Sequence, residues 1–478
     1  MQYQQYTIKE FKGLNEIDPP EKIGIDTATD LRNVEWDRST GVLQRRGGYS
    51  ALLGSSESES FNSIAVVQRN KIIGVRDTNV EAYTSAGVSI ATQARTGAGP
   101  AASIAQVGTP NNSWVYVSDF TDYPDRFDGS AWSSRTNPPK AAYLAVQTPD
   151  NRLVGATTAS GGGPGGASSS HSHVWFSDPG DPETWPSTNK IQLTPGDGEE
   201  IQGMVNWNNN LFVFKRSTLF IFYGNSLDSA GNPVFNYRTV SLAGAEMLDQ
   251  TAVVHGNSVA VAPEGVYYVG YDGIYVTTGD TPSLVSSRLN PNFAFAEGHL
   301  SYVERRLYFR QPGSDLLYVF DSDVGEWTRW EIPKMRSNII PHPASTDPDD
   351  WGLFGGDADS SVHRIFTLDH SDDDYNGAHI DAYWTSGFSN FGYESEKRLR
   401  YIDIWGTGIA TLSVATDFGS PADAQGLSFG SSITKLRYAT AHSGTFFGVK
   451  FANVLGSAFT IRRLIFHYEP EKAAEAKR

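Results

Sequence analysis

The chain has 478 residues, of which 12% are aromatic, only 19% are charged and 47 are glycine. This composition favours many short strands joined by tight turns, with aromatics on half-buried pleated faces, and argues against a helical bundle. Its 54 acidic and 38 basic residues leave a net charge of −16, which disfavours tight nucleic-acid binding because that affinity comes largely from counterions released by Lys and Arg, and the lack of cysteine excludes disulfides, thiol catalysis and Cys-ligated zinc.

Residues 1–11 are polar and lack the apolar core of a signal peptide. No apolar run approaches the roughly 18 residues needed to cross a bilayer, so folding in a cytoplasm and no membrane partner are expected. Residues 31–49 read LRNVEWDRSTGVLQRRGGY. Two apolar runs, 31–36 and 42–43, flank a polar turn containing Gly41. The basic pair Arg45 and Arg46 follows, then Gly47 and Gly48. This pattern predicts a hairpin with a Gly-rich exit, and residues 1–50 are assigned to an N-terminal arm carrying it.

From about residue 60 to 370 one plan recurs: an alternating apolar run, a short turn, a second run, then a Trp- or Tyr-rich strand. It is recognisable at 64–75, 114–132, 153–185, 201–223, 259–277, 302–330 and 351–368. Within it, Asn208–Asn210, Pro263-Glu264-Gly265 and Asp272-Gly273 are turn signals. The spacing of roughly 40–55 residues suits propeller blades. The expected fold is therefore all-β: a β-propeller over 51–372 with about seven blades, six to eight being compatible with the pattern. The run 159–170, ASGGGPGGASSS, has little to bury and predicts a mobile loop between two strands that tolerates shortening.

An acidic stretch at 371–377 marks a boundary. Beyond it, 399–405, 411–416, 446–454 and 459–468 read as longer strands, with alternation such as Val449-Lys450-Phe451. They predict a C-terminal β-sandwich over 373–470 and a charged tail over 471–478.

No position announces catalysis. Asp372, Asp374 and Asn376 occupy the first, third and fifth positions of a calcium loop, with Gly377 at the sixth, but Tyr383 stands where the bidentate Glu belongs. An acidic turn is the simpler reading, and neither a metal nor a cofactor is expected. The run from Asp321 to Trp327 is similar to the Asp-box hairpin of sialidase-type propellers, one residue short. A glycosidase also needs two carboxylates across a sugar, and no such pair stands out. His171 and His173 are a solvated pair in a loop. No nucleophile elbow or phosphate loop is expected, so the chain is read as no enzyme. The basic pairs Arg45–Arg46 and Arg462–Arg463 are either solvated or placed to pair with carboxylates across a subunit contact.

Several phrases go beyond pattern. Asn33…Trp36-Asp37…Gly41-Val42-Leu43…Arg46-Gly47-Gly48-Tyr49 resembles the start of the tail hub proteins of short-tailed bacteriophages, also called tail accessory or stabilisation proteins. The phrase VWFSDPGDPETW at 174–185, the paired segments Trp207-Asn208-Asn209-Asn210-Leu211 and Ser217-Thr218-Leu219-Phe220, and the ending Phe447-Gly448-Val449-Lys450-Phe451 are similar to the same family. The resemblance implies a structural virion protein with a propeller core. It implies a homo-oligomer, commonly a hexameric ring, beneath the portal and its adaptor. The implied partners are that head-to-tail connector, a tail needle or tip protein and tailspikes or fibres, with DNA passing through during ejection without specific binding. The expected location is the virion tail, after synthesis in the host cytoplasm. The acidic balance and the Gly-rich loop depart from the family. The alternative is a sugar-binding or glycosidase-like propeller. In the ring reading, the lumen is expected to be acidic, with the two Arg pairs held away from it.

Overall fold

The computed structural model describes residues 3–471 apart from 38–39, 53–59, 97–101, 110–111, 120, 148–149, 157–161, 228–232, 249–256, 290–297, 312, 344–349, 357–361, 367–372 and 375–377. Seven four-stranded antiparallel sheets follow one another along the chain as the blades of a propeller. Blades 1 to 6 span 63–94, 103–134, 143–192, 201–241, 259–284 and 299–331. Blade 7 takes its first three strands from 335–366 and its fourth, Tyr49–Ala51, from the N-terminal region. That strand pairs Tyr49 with Ile365 and Ala51 with His363 and closes the ring.

Local chemistry explains the blades. Their strands alternate or are apolar throughout, as in Gly265–Val269, where every position is buried between neighbouring blades. Three first hairpins turn on two successive left-handed residues: Gln68-Arg69, Asn208-Asn209 and Glu304-Arg305. This is the turn whose twist matches the flanking strands, and Asn adopts it most readily. The seam between blades 7 and 1 is filled by Phe61. A Cβ built on Gly74 would stand 2.3 Å from its ring, and one on Gly355 2.4 Å from its Cβ.

The strands C-terminal to the propeller, with those of the N-terminal region, form one curled 12-stranded sheet organised around a 20-residue strand, Lys397–Thr416. Its first half pairs with Phe459–Pro470 and Thr434–Ala439, its second with Phe447–Asn453 and Ala422–Ser428. The strand passes from one arm of this sheet to the other near Gly406 and Gly408. Gly408 has φ +80° and lies so close to Ala458 that a Cβ would meet its carbonyl oxygen at 2.1 Å. The residues assigned to a separate N-terminal arm belong to this body. Gln4–Ile8 and Leu43–Arg45 pair with Phe459–Pro470, and Thr27–Arg32 pairs with Tyr383–Ser386. One hydrophobic core then runs from Leu31, Trp36 and Leu43 through Leu412 and Phe466 to Leu307 and Trp327 of blade 6. The expected hairpin is present, with Trp36 opposite Leu43.

Candidate functional site

The centre of the propeller is lined by the first strand of each blade. These seven strands contain no Asp or Glu; Arg336 and His299 are their only titratable side chains besides tyrosine. A belt of polar contacts joins them. Asn338 exchanges two 3.0 Å bonds with the Ile64 backbone, Ser103 and Ser301 accept from the N–H groups of Leu144 and Ile339, and Asn206 donates to the Val146 carbonyl. Trp207 donates to the Ala262 carbonyl and the Gln68 N–H to Gln106. One contact spans non-neighbouring blades: Asn257 Nδ2, leading into blade 5, donates to Ser63 Oγ of blade 1 at 2.8 Å. The centre is thus crossed by a protein–protein bond.

The N-terminal hairpin sits where propeller and C-terminal sheets meet. Arg306 of blade 6 reaches Glu35 at 2.8 Å, Asp321 at 3.1 Å and the Trp36 carbonyl at 2.9 Å. Burial opposes its charge, but Glu35 and Asp321 outweigh that and hold its pKa above the ordinary arginine value. Trp330 donates to the Val34 carbonyl and Arg329 pairs with Asp30 at 2.6 Å. Arg45 and Arg46 are 0% and 2% exposed. Arg46 donates to Asn33 Oδ1, the Gly47 carbonyl and the Glu331 carbonyl. The expectation that this pair faces solvent or a subunit contact is therefore corrected: a guanidinium spent on internal acceptors becomes part of the clamp between the two bodies.

Other expectations fare differently. Asp372 and Asn376 lie outside the described residues, as does the Asp374 side chain, whose backbone forms a short ladder with Ala378–His379. Among the described residues no group of three His, Asp or Glu is placed to hold a metal. His171 pairs with Glu200 at 2.9 Å, and His173 Nδ1 accepts the Ser170 N–H at 2.7 Å. Asp321 accepts the N–H groups of Asp323 and Val324 besides holding Arg306, so the Asp-box-like run is a structural hairpin. The spelling Gly426-Leu427-Ser428-Phe429-Gly430 matches a nucleophile elbow, contrary to the expectation that none is present. Here Ser428 ends an exposed strand, Ala422–Ser428, that no helix follows, so the strained strand-to-helix turn of such an elbow is not formed.

The described part of the Gly-rich loop is packed rather than loose. A turn at Pro164–Gly166 brings Ser169 Oγ to accept from Trp175 Nε1 at 3.1 Å, and the backbone N–H of Lys140 donates to the Gly162 carbonyl. In the SDPGDPETW phrase, Glu183 accepts from the Tyr116 hydroxyl at 2.6 Å and from Arg126 at 3.0 Å, fastening blade 3 to blade 2.

Arg462 is exposed and Arg463 half-buried on the outward face of the C-terminal sheet. Register places Arg463 beside Trp405 and Trp405 beside Lys435, with Arg437 beside Asp403 in the next row. Asp403 holds Lys435 at 2.8 Å, Arg437 at 2.9 Å and His467 at 3.1 Å. Burial pushes its carboxyl up, and the bonds from Arg437 and Lys435 overcome this to leave it below the ordinary range. Only alternation along 434–439 hinted at this cluster in the sequence, because its members meet across three strands.

No protein-family model and no curated protein matches the sequence. Among solved structures the chain is similar to PorZ, a bacterial surface component of the type-IX secretion system of Porphyromonas gingivalis, with a TM-score of 0.39 and 13% identity. The match covers 71% of this chain and 43% of that one, so the chain spans less than half the length of PorZ. A likeness at this level says nothing about function.

Proposed function

We propose that the chain is a structural subunit of a short phage tail, a hub or nozzle-type component between the portal-adaptor and the tail tip. It works there as a homo-oligomeric ring, most simply a hexamer, that seats a needle or tip protein and lateral tailspikes or fibres. The observation that carries the reading is where the family-like phrases fall. The N-terminal hairpin supplies Asn33, Glu35 and Arg46 to the junction between propeller and C-terminal sheets, and the SDPGDPETW phrase fastens blade 2 to blade 3. These residues fasten propeller, N-terminal hairpin and neighbouring blades into one frame, which supports a structural role. The Asn257–Ser63 bond crosses the propeller centre, so in this reading DNA travels through the lumen enclosed by several copies. Antibody labelling of intact virions tests the proposal: label at the tail is expected. A protein absent from particles, or one that hydrolyses host polysaccharide with loss of activity on mutating one acidic residue, overturns it.

One feature favours the sugar-binding alternative. Trp207, Asn208, Val261 and Pro263 line an open depression between blades 4 and 5. The Trp207 N–H is already donated to the Ala262 carbonyl, leaving its ring as the only stacking surface. Saturable glycan binding lost in Trp207→Ala would support that reading.

A further inference from the structure

The outward face built on Lys397–Thr416 gathers cations in a chain whose net charge is −16. Lys435 and Arg437 are exposed there, Arg463 is half-buried, and Arg462 is exposed where the register shifts opposite Trp405 and Gly406. Asp403 fixes the heads of Lys435 and Arg437, yet each has further N–H donors to offer. Conversely, antiparallel blades place their first-to-second and third-to-fourth turns at one end of the propeller. These turns carry Asp128, Asp181, Glu264, Asp280, Glu304 and Asp323, all exposed. Among the described turns at this end only Arg69 and Arg305 are cationic, and Arg305 is paired with Asp323 at 2.7 Å.

We infer that the basic sheet face of one copy docks on the acidic hairpin end of the propeller of a second copy. A second copy is favoured over nucleic acid by the aromatic rings. Trp405 has Lys435 at 5.0 Å and Arg463 at 5.3 Å, and Tyr401 has Arg437 at 4.0 Å and the stacked His467 ring at 4.1 Å. With their faces covered, these rings offer no platform for bases, and the Asp403 carboxylate at the centre opposes phosphate. Every copy brings both surfaces in equal number, and their charges are opposite. Because the two surfaces differ, the contact is heterologous: copies add head to tail with one polarity. The inference rests on the tail-hub reading only for closure of that array into a ring.

A charge swap in the full-length chain tests it. One variant carries Lys435→Glu with Arg462→Glu, the other Glu264→Lys with Asp280→Lys. Lys435→Glu gives up the Asp403 pair and Glu264→Lys the acceptor of the Tyr267 hydroxyl, so the single variants Arg462→Glu and Asp280→Lys, at exposed side chains, are measured beside the double ones, and their melting transitions close to wild type verify folding. Sedimentation should show wild-type assemblies at low salt that dissociate as ionic strength rises. Each variant alone should lose assembly, and an equimolar mixture should regain it, because alternating copies restore opposite charges at every contact. A wild type that stays monomeric at low salt overturns the contact, as do assemblies indifferent to both variants. Salt-sensitive duplex DNA binding that disappears in Lys435→Glu with Arg462→Glu also overturns it, by giving the face to nucleic acid. Virion tails built equally well by both variants remove the contact and leave the hub reading standing. Charge-swapped assembly of a protein missing from virions does the reverse.

Discussion

Arg46 and Asn33 lock three parts of the molecule at one point. Arg46 Nε donates to Asn33 Oδ1 at 2.9 Å, and the same oxygen accepts the Glu331 N–H of blade 6 at 2.7 Å. Asn33 Nδ2 donates to the Asp381 carbonyl, in the segment leading into Tyr383–Ser386. Asn33 also holds φ +54°, a left-handed conformation that Asn tolerates better than most residues. Asn33→Ala should therefore cost roughly 3–5 kcal/mol, from unsatisfied buried donors and backbone strain together. Arg46→Lys should also destabilise, because an ammonium cannot reproduce the guanidinium fork. Denaturant unfolding measures both. A loss below about 1 kcal/mol in each would mean the junction is held elsewhere.

The seam that closes the propeller should be intolerant of added volume. Phe61 lies against both Gly74 of blade 1 and Gly355 of blade 7, and Arg76 stands 3.7 Å over its ring. Gly74→Ala must displace the ring and should destabilise by about 1–3 kcal/mol. Gly180→Ala meets no atom within 4 Å but sits at φ +68°, so it reports backbone strain alone. A larger loss at Gly180 than at Gly74 would contradict the packing account.

The Gly-rich loop should resist shortening. Ser169 accepts the Trp175 N–H, and a Cβ on Gly163 would stand 2.6 Å from the Ala167 oxygen. Replacing 159–170 by a four-residue turn strips Trp175 of this partner and should lower stability by about 1–3 kcal/mol. Ser169→Ala should reproduce much of that loss. An unchanged thermal transition in both would restore the expectation of a loose loop.

Acid lability should trace partly to His299. Burial pulls its pKa down to about 3, with a smaller push from Arg310, its cross-strand partner. The unfolded chain takes up a proton near pH 6.5, whereas the folded chain refuses it until about pH 3. His299 therefore contributes no penalty above pH 6.5, and stability falls as pH drops through that window, by up to about 1.4 kcal/mol per pH unit. Chemical denaturation between pH 7 and 4 should show this slope reduced in His299→Gln. An identical slope in wild type and variant would place the acid sensitivity elsewhere.

Much of the fold was written locally. The apolar run of strands such as Leu316–Asp321, the Asn208–Asn209 turn and the Glu264-Gly265 hairpin each depend on a few adjacent residues, and counting such units led to about seven blades. The hairpin pairing Trp36 with Leu43 was legible for the same reason. What a strand pairs with is not local. That Tyr49–Ala51 completes a blade begun near residue 335, and that Gln4–Ile8 joins Phe459–Pro470, depends on which edges remain open once the rest has folded. Burial was hidden likewise: Arg45-Arg46 and Arg462-Arg463 spell the same dipeptide, yet the first lies inside a junction and the second on an outward face. A sequence determines which backbone geometry is cheap at each step; only the packed chain decides which side chains lose their water and which partners replace it.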